Sequence, residues 1–146
     1  MNCGEILRDN ICERCELPFC RQFCIGLREG ALKELINAYK FRSVRAAYFD
    51  LADMLYERTG VLMGYKIVPL PTIMKHVRER GFDHIGKLAK QLARLSGGEL
   101  CYALERNINS TQVGADKQRR ILQAQKAFRV SKKMEPGADY LLLDDI

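Results

Sequence analysis

At 146 residues and 47% hydrophobic content, the chain holds enough apolar side chains for one real core, with room for a small appendage. No apolar run reaches transmembrane length and no leader of charged, apolar and small residues opens it, which argues against a membrane span and points to the cytoplasm. The formal net charge of +6 favours anionic partners such as phosphates or nucleic acid, although a solvated basic surface produces the same balance.

Residues 1–27 lack helical periodicity and are rich in cysteine. From Leu32 the apolar positions Leu32, Leu35, Ile36 and Tyr39 recur at helical spacing. A second helix is expected from about Arg45 to Glu57, with Tyr48, Leu51 and Leu55 on one face and Gly60 near its end. Lys66-Ile67-Val68 reads as a short strand, stopped by Pro69 and Pro71, which have no N–H to give a ladder. Residues 72–82 are basic and read as irregular. A third helix follows, with Asp83 as N-cap, an apolar stripe of Ile85, Leu88, Ala89, Leu92 and Leu95, and Gly97-Gly98 as its stop. Leu100 to Leu104 is a candidate strand, Asn107 to Gln112 a polar loop, and Asp116 a cap for a short helix through Gln125. Phe128-Arg129-Val130 reads as a strand, and Pro136-Gly137 as a turn before a last strand. Strands alternating with helices predict an α/β fold with a mostly parallel sheet.

Three features carry chemistry. Five of the six cysteines lie within the first 24 residues, and Cys12, Cys15, Cys20 and Cys24 form two closely spaced pairs. Without an export signal, such a cluster points to structural Zn²⁺ held by four thiolates rather than to disulfides. Cys3 is an alternative ligand because the middle gap is short, and Arg14 and Arg21 would offset the thiolate charge. Free thiols are the simpler alternative, and Cys101 reads as a small buried hydrophobe rather than a nucleophile. Second, the strand at Ile67-Val68 leads into Arg78, Arg80 and Gly81, a basic glycine-containing loop suited to a diphosphate. Basic loops are usually just solvated, and His76 and His84 read as surface or cap residues. Third, Tyr140-Leu141-Leu142-Leu143 is an apolar run expected to be buried on both faces, closed by Asp144 and Asp145. Open parallel sheets bind ligands at the carboxyl ends of their strands, and paired carboxylates there suit a hydroxyl-rich or Mg²⁺-bound ligand. A sheet-centre strand so close to Ile146 reads as a domain cut at its ligand-binding edge.

The order of Lys40-Phe41-Arg42, Val68-Pro69-Leu70-Pro71, Arg78-Glu79-Arg80-Gly81-Phe82, Thr111-Gln112, Arg120, Ala127-Phe128 and Leu142-Leu143-Asp144-Asp145-Ile146, behind a cysteine cluster, resembles the ComF family. These are bacterial competence-associated proteins with a phosphoribosyltransferase-like domain behind a zinc finger. The resemblance implies a zinc knuckle over residues 1–27 and a type I phosphoribosyltransferase-like domain over 28–146, incomplete at its C-terminus. It implies that Asp144 and Asp145 meet the ribose hydroxyls of phosphoribosyl diphosphate (PRPP), bound with Mg²⁺, and that residues 72–82 lie near the diphosphate. The family's Thr/Gly-rich phosphate loop would follow Ile146; Asp83-His84 stands where Asn-Gln is usual, and Gln123 where Asn is frequent. Two further readings follow: a competence factor that binds a helicase or recombination mediator without catalysis, and a zinc-containing protein that binds single-strand DNA.

Overall fold

The computed structural model describes residues 22–42, 44–107 and 126–144. The expected loop and helix at 108–125, and every cysteine up to Cys20, lie outside the described residues.

Among the described residues, three of the four helices stand where apolar spacing puts them. Helix α1 (Gly30–Phe41) buries Ile36 and Tyr39, with Leu32 and Leu35 packed beside them. Helix α2 (Ala47–Thr59) buries Ala47, Leu51 and Ala52 and ends at Gly60. Strand β1 (Tyr65–Pro69) and helix α3 (Met74–Arg80) come next. Helix α4 (His84–Ser96) follows, burying Ile85, Leu88, Ala89 and Leu92. It packs along α2, where small buried residues on both helices permit close approach. Its last residue, Ser96, is buried with its hydroxyl donated to the Leu92 carbonyl at 2.7 Å, and Gly97 turns the chain out at φ +74°.

Short strands β2 (Glu99–Leu100), β3 (Leu104–Arg106) and β4 (Phe128–Val130) lead to β5 (Asp139–Leu143). Strands β2, β1 and β5 form a parallel sheet in that order, with Ile67 opposite Leu100 on one side and Leu141 on the other. Strands β3 and β4 pair antiparallel in a separate ribbon. The fold is therefore α/β with a small, mostly parallel sheet. Ile67, Leu141 and Leu143 face the helices and join their core, while Lys66, Val68, Tyr140 and Leu142 take the other face.

Three expectations are corrected. Residues 74–80 are helical, not irregular. Helix α3 buries no side chain, so it leaves no apolar period to read; His76 and Lys75 both pair with Glu79, and left-handed Gly81 ends the helix. The span Leu100 to Leu104 holds two strands in two different sheets, β2 ending at Leu100 and β3 beginning at Leu104. The last strand is not buried on both faces: Leu142 is 58% exposed, because among the described residues β5 is an edge strand with helices on one face.

Lys66 pins the sheet on its far face. Its ammonium lies 2.9 Å from Glu135 and 3.1 Å from Glu99, the first before β5 and the second in β2. Bonds to Glu135 and then to Glu99 hold its pKa above the ordinary lysine range. Burial first, and then the Asp83 charge, raise the Tyr102 phenol as well. Both groups favour the folded state below their unfolded values, about 10.4 and 10, and that contribution is lost as pH rises through the folded values. Thermal melts from pH 8 to 11 are expected to show falling stability above about pH 10, with a shallower fall in Lys66→Met. Parallel curves for the two proteins would show that the lysine clamp does not contribute.

Candidate functional site

Because β2, β1 and β5 run the same way, their carboxyl ends share one edge of the sheet. The chain leaves β1 toward β2 on one side, while β5 lies on the other. The crevice between the ends of β1 and β5 is thus where strand order reverses, the position at which open α/β sheets bind ligands. Pro69 pairs with Leu143 at that end, and the Leu70 N–H donates to the Leu143 carbonyl at 2.9 Å. The next residue is Asp144, exposed at the mouth of the crevice.

Asp144 faces a cation that sequence reading did not single out. Burial lowers the Arg106 pKa and the Asp144 carboxylate counteracts it, so the end of β3 brings a guanidinium into the field of the acidic residue. Arg106 also stacks over Phe128, 5.0 Å from the ring centre. No periodicity marks such a residue; only the pairing of β3 with β4 brings it there.

The loop after β1 is held by a second group. The Thr72 hydroxyl donates to Asp83 Oδ1 at 3.2 Å. Asp83 sits at the N-cap of α4 as expected, yet makes no side-chain cap bond there. A Cβ on Gly86 would lie 2.5 Å from Asp83 Oδ2 and 3.4 Å from the Tyr102 hydroxyl, so the absent side chain makes room for the carboxylate. Gly86→Ala must push aside the end of the Asp83 side chain but gains about 1 kcal/mol of helix preference, so its net cost is expected to stay within about 1 kcal/mol by thermal or denaturant unfolding. In an Asp83→Ala background the cost should shrink; equal costs in both backgrounds would remove the clash as its cause.

The remaining expected residues fall as follows. Arg78 is exposed on α3. Arg80, half-buried, meets the His84 ring through one guanidinium nitrogen, 2.9 Å from Nδ1 and 3.4 Å from Nε2. His84 is no surface residue: it is buried at the start of α4, and its carbonyl accepts from the Tyr39 hydroxyl. His76 is partly exposed and faces Glu79 at 3.1 Å. Gly81 stops α3, its N–H already spent on the Val77 carbonyl at 2.8 Å. Cys101 is reduced and half-buried beside β1, where its N–H reaches the Ile67 carbonyl at 2.9 Å. Among the four expected thiolates, Cys24 alone lies in the described residues, where it is exposed and outside any disulfide. Cys12, Cys15, Cys20 and Asp145 lie outside them. No group of three or more metal-ligating side chains occurs among the described residues.

Comparison with protein-family models, curated proteins and solved structures returned no match to this chain.

Proposed function

We propose that the chain is a phosphoribosyltransferase-type protein of the ComF kind, with its ligand site in the crevice between β1 and β5. The observation that carries this reading is Asp144 at the carboxyl end of β5, beside the end of β1 where strand order reverses. In this reading Asp144 and Asp145 accept hydrogen bonds from the ribose hydroxyls of PRPP. Arg78 and Arg80, beside Gly81 on the connection that leaves β1, supply positive charge toward the diphosphate. Mg²⁺ would neutralise the diphosphate so that it can depart. Cys12, Cys15, Cys20 and Cys24 hold structural Zn²⁺ ahead of the domain, for which the exposed, reduced Cys24 is suited.

Calorimetric titration tests this reading. PRPP is expected to bind with Mg²⁺ and much more weakly with EDTA in its place. Absence of Mg²⁺-dependent binding sinks the proposal.

A second reading has its own support. Phe41 and Phe49 are 67% and 45% exposed near the turn between α1 and α2, in a stretch that also carries Lys40, Arg42 and Arg45. Exposed rings among cations suit single-strand nucleic acid. Steeply salt-dependent binding of oligothymidine, weakened by Phe41→Ala, would favour this role over PRPP transfer.

A further inference from the structure

A cavity of about 260 Å³ opens beside Asp144, between residues 23–28 and helices α1, α2 and α4. Its floor is the core itself: Ile36, Leu51 and Leu88 are buried, with Leu55 half-buried next to them. Two of its other polar groups point elsewhere, the Tyr39 hydroxyl to the His84 carbonyl and Arg28 to Asn37. Half-buried Lys40 and exposed Asp144 stand at its mouth. One residue, Asp144, therefore belongs both to this cavity and to the crevice at the sheet edge.

Small-molecule sites have this character, with apolar walls and a few converging polar groups. A cavity of roughly 150 Å³ lined by aliphatic side chains admits benzene, so the larger volume here suits about two fused rings. Aliphatic walls leave the polar edge of a nucleobase with partners only at the mouth, at Lys40 and Asp144, whereas a hydrocarbon ring needs none inside.

We propose that this cavity seats the acceptor of the transfer reaction, and that the acceptor is a flat, mainly hydrocarbon ring compound bearing one nucleophilic nitrogen, not a purine or pyrimidine. The proposal rests on the PRPP reading above. The nitrogen lone pair forms the bond to the anomeric carbon. The bond from that carbon to the diphosphate oxygen breaks, and its electron pair leaves with the diphosphate. The surplus proton on nitrogen passes to the Asp144 carboxylate and from there to solvent.

The test uses 1-naphthylamine as probe. The chain has no tryptophan, so naphthylamine fluorescence is read without an indole background. Saturable binding is expected without PRPP, undisturbed by equal adenine. Leu55→Phe and Leu32→Phe, which fill the cavity from two sides, should each weaken it at least tenfold. Should either variant fail to fold, methyl NMR of the unaltered protein still decides: the probe must shift the Leu55 and Leu88 methyl signals. With Mg²⁺ and PRPP added, release of diphosphate dependent on naphthylamine is expected. Absent saturation, displacement by adenine, or unchanged affinity in both filled variants overturns the proposal. PRPP binding without naphthylamine binding overturns it and leaves the PRPP reading standing. Naphthylamine binding without PRPP binding removes the acceptor role together with that reading.

Discussion

Replacing Ile67 with alanine is expected to lower the unfolding free energy by about 2–5 kcal/mol, the range for deleting a buried branched side chain. Ile67 is fully buried in the middle of β1, the central strand, where it meets the helical layer. A Cβ on Gly98 would lie 2.8 Å from its Cδ1, so the side chain already fills the space between the sheet and the turn after α4. The backbone around such a site is fixed by ladder bonds on both sides and relaxes little, which puts the cost toward the upper part of the range. Leu142→Ala, on the opposite face of β5 and 58% exposed, should cost less than about 0.5 kcal/mol. Urea unfolding of both variants measures the contrast. Similar losses at the two positions would mean that the sheet is covered equally on both faces.

Asp144→Asn is expected to weaken Mg²⁺-dependent PRPP binding at least tenfold, about 1.4 kcal/mol or more. The amide keeps the size of the carboxylate and removes the charge that accepts hydroxyl donors strongly. The same change also takes away the charge that counteracts the effect of burial on the half-buried Arg106 guanidinium. Asp139→Asn serves as control: it lies at the opposite end of β5, at the start of the strand. Its affinity should match that of the unaltered protein. If Asp144→Asn binds PRPP as tightly as the parent, the end of β5 is not the ligand's anchor and the crevice reading fails.

Much of the fold was legible because burial imposes a period. The stripes of α1, α2 and α4 recur at helical spacing since one face of each meets the same core, and Gly60 and Gly97 mark the ends of α2 and α4. Helix α3 escaped because none of its residues is buried; charge pairs and a left-handed glycine hold it, and these have no hydrophobic rhythm. The apolar run Leu141-Leu142-Leu143 misled in the other direction. Consecutive leucines imply two covered faces, whereas this strand covers one. For the site, Asp144 could be placed from sequence since an acidic residue after an apolar strand has a known position in parallel sheets. Arg106, Tyr102 and Lys40 could not, because what matters about them is which distant element they meet. The Thr72 to Asp83 bond shows the same limit: Asp83 was readable as a cap position, but its side chain serves the loop after β1 instead.

The order of strands in the sheet also sets when the crevice comes into being. Strand β1 pairs with β2 after one helical crossover, but its other neighbour is the last strand described. Contacts this distant along the chain close late in folding, after local helices and nearer pairings have formed. During synthesis the β5 side of β1 therefore stays unpaired until residues 139–143 have emerged, with Ile67 and Val68 beside a bare edge. The crevice and the second set of ladder bonds on β1 thus arise in one step, the docking of residues 139–143.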